Sequence, residues 1–274
     1  MTTLAPGPTS SATAGLGGLP LALRLGASPV DPACLGGKGA SLARLVGAGL
    51  PVPPSGVLTT AAYRRAMEAP SLAEVVSELS NDSRTSDASI DERCLDAVLP
   101  DEVERAARDL LEQLGPDVAV RSSATTEDLA SASFAGQFRS FLGIGDEEGL
   151  MRAIRLVWAS LWHRAPRAYR LFHGFNGEPA MAIVLMTMVP ARRAGVAFTL
   201  DPAGALGKVR IEFVDGLAEG LVSGARTPEC HLLDRTDPER PHAPEPCAQV
   251  ARLALRCEEL AGRPFVFRRT DLLD

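Results

Sequence analysis

The apolar positions change period several times along the chain. Between Asp101 and Leu114, residues Val103, Ala107, Leu110, Leu111 and Leu114 recur at three- and four-residue steps, with Gly115 behind them. That spacing predicts an amphipathic helix with a glycine stop. Val118 and Val120 then alternate with other residues and the run ends at Arg121, followed by the small hydroxyl residues Ser122, Ser123, Thr125 and Thr126. A small-residue turn, Ser133-Phe134-Ala135-Gly136-Gln137, and a second alternating run, Phe138, Phe141 and Ile144, complete the pattern of a hairpin. Helical spacing returns from Glu147 to Phe172 (Leu150, Ile154, Val157, Trp158, Leu161), where Pro166 is expected to break or kink the helix. Ala180 to Val189 is apolar throughout and fits a buried strand. Gly195 to Leu200 and Val209 to Val214 predict two more strands, joined through a turn at Asp201-Pro202-Ala203-Gly204.

Outside this central stretch, Leu35-Gly36-Gly37-Lys38-Gly39-Ala40-Ser41-Leu42 opens a helix with Leu42, Leu45 and Val46 as its stripe, Gly49 as its stop, and an extended segment at Pro51 and Pro53. A short helix is expected from Thr60 to Met67, and Asn81 to Arg93 reads as a polar loop. Thr236 to Pro246 is a Pro-rich linker or long hairpin tip. Gln249 to Leu260 predicts a final helix, ended by Gly262 and Pro264, with a last strand at Phe265 to Phe267. No internal repeat is visible. Strand pairs with intervening helices suggest an α+β fold rather than a doubly wound sheet. The expected organisation is a Thr-, Ser-, Ala-, Gly- and Pro-rich tail (1–20), an N-terminal lobe (21–186) and a smaller C-terminal lobe (187–274), hinged near Met186 to Val189.

Composition narrows the function. Hydrophobic residues make up 46% of 274, enough for a real core, and the formal net charge of −6 argues against non-specific nucleic-acid binding, which needs a basic footprint. A nucleotide site is not excluded, because a few local cations suffice for it. The five cysteines are an odd number without a CxxC pair, as in a reduced cytoplasmic protein. No run of ~20 apolar residues predicts a membrane span, and the first residues lack the basic start and apolar core of a signal peptide.

Two cations stand where phosphate chemistry needs them. Arg121, at a strand end facing a Gly-containing loop, offers a planar fork of donors, and the small side chains of Ser133 to Gln137 let backbone N–H groups approach phosphate oxygens. The alternative for Arg121 is an ion pair with Glu127 or Asp128, and for the loop a plain hairpin turn. Lys38 sits between glycines at a helix start, where the helix dipole favours an anion and disfavours a cation, although a solvated lysine is the bland alternative. Glu127 and Asp128 read as solvated or capping acids, with metal binding as the sharper reading. Glu212 and Asp215 are candidate substitute metal ligands at a strand end. Trp158 and Trp162 read as core, His163 and His173 as surface or capping residues, and the histidines and cysteines show no zinc spacing.

In order and spacing, the segments LGGKGASLARLVGAGLPVPPSGVLTTAAYRR, VAVRSSATTEDLASASFAGQ, VWASLW, AGVAFTLDP and GLAEGLVSGARTP resemble the nucleotide-binding domain of the phosphoenolpyruvate synthase, pyruvate phosphate dikinase and rifampin phosphotransferase family, from about Leu35 to Pro228. The resemblance implies an ATP-grasp fold with ATP and Mg2+ between two lobes. It also implies a phosphoryl group that passes to a histidine on a separate domain or chain, ATP being split to AMP. It assigns phosphate contacts to Lys38 and Arg121, both in catalytic roles, and a phosphate-covering loop to Ser133, Ala135, Gly136 and Gln137. It puts Met188 at the nucleotide-binding hinge and Glu219 facing the nucleotide.

The sequence also departs from the family. Met186-Thr187-Met188-Val189 stands at the hinge, where the family usually has a glutamine before its Met-Val pair. After Gly262-Arg263-Pro264 the chain reads Phe265-Val266-Phe267-Arg268-Arg269-Thr270 instead of a D-I-E-W-type strand and then a Q-S-R-P-type strand, whose Glu and Gln bind metal. These differences lead us to expect a shortened second lobe with unknown metal ligands. The chain is then the ATP-binding part of a dikinase-type phosphotransferase, inactive alone and served by a phospho-His or pyruvate-binding chain. The alternative is a catalytically impaired nucleotide-binding regulatory module.

Overall fold

The computed structural model describes residues 18–26, 30–81, 85–125, 138–174, 179–216, 221, 224–238, 245–264 and 266–270. These fall into two compact units divided between Met188 and Val189. Both are α+β with wholly antiparallel sheets.

In the first unit, β1 (Ala22–Arg24), β2 (Ser55–Leu58), β3 (Val118–Ala124), β4 (Ser140–Ile144) and β5 (Met181–Thr187) form a sheet in the order β1-β2-β5-β3-β4. The apolar run of β5 is explained by its central place: Met181 to Leu185 are buried because both faces of the sheet are covered. One face packs on a large helical core that includes Val118, Val120, Ile183, Leu185, Leu110, Ile154 and Trp158. The other carries a smaller cluster of Leu35, Val57, Ala182 and Val184 beneath α1 (Pro32–Gly47).

The helical layer is α2 (Thr60–Met67), α3 (Pro70–Asn81), α4 (Asp87–Asp96), α5 (Asp101–Leu114), α6 (Glu147–Ser160) and α7 (Arg164–Phe172). The expected stripe of α5 is its buried face. Two expectations change. The supposed loop of Asn81 to Arg93 contains most of α4, because the Ser86 hydroxyl accepts from the Ser89 N–H (3.2 Å) as an N-cap and Ile90 and Cys94 bury one face at i, i+4. The long helix from Glu147 to Phe172 is two helices that break at Leu161 to His163 rather than at Pro166. Asp87 accepts the first N–H of α7 from Arg164 (2.8 Å), and Pro166 is the third residue of α7, where a missing N–H costs no intrahelical bond. His163 is the N-cap residue of α7, without a side-chain cap bond, and is not at the surface. Its ring is buried at the start of α7 and lies 2.8 Å from Asp91 Oδ1, and the other Asp91 oxygen pairs with Arg139 (2.7 Å). Trp158 is core, its indole N–H donating to the Met181 carbonyl (3.1 Å).

The second unit is a four-stranded sheet in the order β8-β7-β6-β9, made of β6 (Arg193–Phe198), β7 (Lys208–Asp215), β8 (Glu229–Asp234) and β9 (Val266–Thr270). One face is covered by α8 (Glu245–Ala261), whose Cys247, Ala248, Val250, Ala251 and Ala254 pack on Val209, Ile211 and Phe213. The turn after β6 is organised by Asp201, which is buried and accepts N–H bonds from Ala203 (3.1 Å) and Ala205 (2.9 Å) and from the Arg210 guanidinium (2.7 Å). These donors hold its carboxyl below the usual range, Arg210 most of all. Among the described residues no helix is long and apolar enough to cross a membrane.

Candidate functional site

The site is built where α1 meets β3. Asp31 caps α1 by accepting from the Ala33 N–H (2.9 Å), and Pro32 begins the helix, a position that does not need its N–H. The helix is interrupted at Gly36, with φ 64° and ψ 178°, so a second helical segment starts behind it. Only glycine fits this point. The φ is left-handed, and an added Cβ would lie 1.9 Å from the Ser123 carbonyl oxygen. The LGGKG segment therefore turns tightly against the sheet instead of continuing as a smooth helix.

Ser123 holds this turn. Its hydroxyl, fully buried, accepts the Gly39 N–H (2.9 Å) and donates to the Leu35 carbonyl (2.6 Å). Thr60 adds a third tie by donating to the Ala33 carbonyl (3.1 Å). Lys38, between these anchors, places its Nζ 3.4 Å from Ser122 Oγ.

Arg121 is not at a strand end as expected but is the fourth of the seven residues of β3, because pairing with β5 continues to Ala124; it lies two residues before Ser123. Arg121 is opposite Val184, and Ser123 opposite Ala182, both in the cluster beneath α1. Alternation therefore assigns Arg121 and Ser123 to the α1 face of the sheet. Arg121 is half-buried, as is Lys38. Met188 is at the opposite end of β3, where its N–H donates to the Asp117 carbonyl (2.8 Å) just before Val118 pairs with Thr187. From Val118 to Ser123 the strand covers roughly 17 Å at ~3.3 Å per residue. Along β3 the Met188 bond therefore lies at the Val118 end, Arg121 is in the middle, and Lys38 reaches in from α1 beside Ser122. Two cationic side chains thus stand near the middle of β3, and groups of this kind can bind an anion.

Cys34, next to the turn, takes no part in this chemistry. Burial, and then Asp31, push its thiol pKa up, with Arg64 opposing, so it stays a neutral packing group.

Ser133, Ala135, Gly136, Gln137 and Glu219 lie outside the described residues, as do Glu127 and Asp128. Glu212 and Asp215 do not form a metal pair. Glu212 shares a face of β7 with Arg210, which donates to it at 3.3 Å, whereas Asp215 is on the opposite face and pairs with Arg193 at 2.9 Å. Among the described residues no group of three His, Cys, Asp or Glu side chains converges. Sequence reasoning missed Ser123. The only available signal was the hydroxyl cluster after Val120, and its partner at Gly39 is 84 residues away.

The family described as "Pyruvate phosphate dikinase, AMP/ATP-binding domain" matches residues 32–255. The chain is 36% identical over 223 residues to the phosphoenolpyruvate synthase of Aeropyrum pernix, covering 75% of this chain and 27% of that protein. It is 36% identical over 221 residues to a probable phosphoenolpyruvate synthase of Methanothermobacter thermautotrophicus, covering 75% and 32%. It is also 36% identical over 217 residues to the prodigiosin synthesizing transferase PigC of Serratia marcescens, covering 78% and 24%. The chain therefore spans about a quarter to a third of the length of these relatives.

Proposed function

Because this chain belongs to the pyruvate phosphate dikinase AMP/ATP-binding domain family, we propose that its first unit grips the triphosphate of ATP through Lys38 and Arg121 and receives the adenine toward Met188. The observation that carries this reading is the Gly36 turn, which Ser123 fastens to the strand bearing Arg121 and which brings Lys38 within 3.4 Å of Ser122, the residue after Arg121. A guanidinium gives fork-like hydrogen bonds to phosphate oxygens, and an ammonium contributes a compact charge. Phosphoryl transfer needs positioning and charge stabilisation more than covalent chemistry, which suits such a site.

By the resemblance, the fold is ATP-grasp-like, Ser133, Ala135, Gly136 and Gln137 would contribute phosphate contacts, and Glu219 would contribute to nucleotide binding. The phosphoryl group would pass to a histidine on a separate domain or chain, in keeping with relatives several times longer than this chain. The setting we propose is the cytoplasm. Mg2+ would arrive as its ATP complex, held mainly by phosphate oxygens and water, as is usual for this ion. The described residues supply no converging ligand group of their own, so no step is assigned to the ion.

A second reading has its own observation. β9, in the place where the resemblance implies a metal-binding strand, reads Val266-Phe267-Arg268-Arg269-Thr270 and carries no carboxylate. Nucleotide binding without turnover by this chain, in a regulatory module, is the function that this favours. Equilibrium dialysis against ATP, ADP, AMP and adenosine tests the shared premise of both readings. The triphosphate should be retained most strongly, and equal retention of all four would contradict a phosphate grip.

A further inference from the structure

We propose that Ser123 is a positioning residue, capping the lysine-bearing helix from the strand beneath it and thereby setting the backbone of Lys38 relative to Arg121; this rests on the nucleotide reading above. A helix normally receives one of its first free N–H groups on the side chain of its own N-cap residue, commonly at the third helical position. The segment of α1 that follows the interruption has Gly36 at that place, which has no side chain. The third residue after it is Gly39, and its N–H is taken by Ser123, 84 residues further along the chain. The cap is therefore supplied by the phosphate-site strand itself.

Three features make this a register device rather than ordinary packing. The hydroxyl uses its donor and one acceptor position in a single orientation, toward the Leu35 carbonyl at 2.6 Å and from the Gly39 N–H at 2.9 Å. Ser123 and Leu35 are wholly buried, so water cannot replace the bonds. The glycine at position 36 lets the turn come close enough for both bonds, since any Cβ there would collide with the Ser123 backbone. Lys38 is one residue from the capped N–H, and Arg121 is two residues, ~6.6 Å of strand, from the capping hydroxyl. The backbone that carries Lys38 is thus held against the strand that carries Arg121 through one serine.

The test is calorimetry of ATP and adenosine binding on the full chain and its Ser123→Ala, Lys38→Ala and doubly substituted forms. Ser123→Ala should weaken ATP binding about tenfold, on the scale of one lost cap, and leave adenosine binding unchanged. In the Lys38→Ala background the same change should cost much less, because residues that act together are not additive. Equal losses for ATP and adenosine, or full additivity with Lys38→Ala, would show a merely structural serine and overturn the proposal. If Ser123→Ala does not fold, Ser123→Cys, close in volume and a weaker acceptor, is measured in the same way with the same expected selectivity. Unchanged ATP affinity in a folded variant overturns this inference alone. Absence of ATP binding by the unsubstituted chain overturns the nucleotide reading and this inference with it.

Discussion

The carbonyl oxygen of Ser123 occupies the space that a side chain on Gly36 would need, with an added Cβ only 1.9 Å away. Backbone meets backbone there, so no flexible side chain can yield. Gly36→Ala should therefore lower stability by at least ~2 kcal/mol, combining a left-handed φ with a displaced strand. Gly47→Ala, at a position with open space around it, is the matched control. Thermal melts of the two variants check this, and similar melting temperatures would contradict the described approach of α1 to β3.

Acid should weaken the second unit. Asp234 is held down to about 2, chiefly by bonds from Thr236 and then by Lys208, and Asp201 is held below its usual range by Arg210 and two backbone N–H groups. A depressed carboxylate contributes stability that is complete above its unfolded pKa of ~4 and lost as the pH falls through its folded value. Denaturant unfolding should thus show stability level from neutrality to about pH 5 and falling from pH ~4 toward 2. Asp201→Asn should be less stable at neutral pH and show a smaller acid-dependent fall. An identical pH profile for the variant would contradict the role given to Asp201.

Much of this architecture can be read from the chain, for reasons that differ between elements. The stripe of α5 and the continuous apolar run of β5 are local patterns, and both elements stand where the pattern places them. β8 and α3 were not anticipated. β8 is an edge strand whose Glu229, Cys230 and Leu232 are exposed, so its alternation is weak. α3 has its buried Leu72, Val75 and Leu79 embedded in a polar stretch that begins at a proline. α4 was hidden by its charged composition, and only Ile90 and Cys94 mark its inner face.

The site was legible to a different depth. Lys38 and Arg121 stand out as residue types in glycine- and serine-rich surroundings, and the structure brings their segments together at β3. What joins them was not legible. A hydroxyl that bonds backbone groups 84 and 88 residues away leaves no local signature. The left-handed turn at Gly36 looks in sequence like one more helical glycine.

Turnover by this chain alone is not expected. With Val266-Phe267-Arg268-Arg269-Thr270 in β9 there is no carboxylate on that strand to hold Mg2+ against the triphosphate. Incubation of the purified chain with ATP and either Mg2+ or Mn2+, followed by chromatography of the nucleotides, should show no AMP above the enzyme-free control. Robust AMP formation would mean that acids elsewhere complete the metal site.

The central claim is that Arg121 grips the phosphates of ATP. Isothermal calorimetry of ATP binding to the chain and to its Arg121→Ala variant tests it most directly. The loss should be roughly 1.5–3 kcal/mol, the scale of hydrogen bonds to a charged group, with the variant folded as judged by its melting curve. Equal ATP affinity in the two proteins would contradict the account and remove Arg121 from the site.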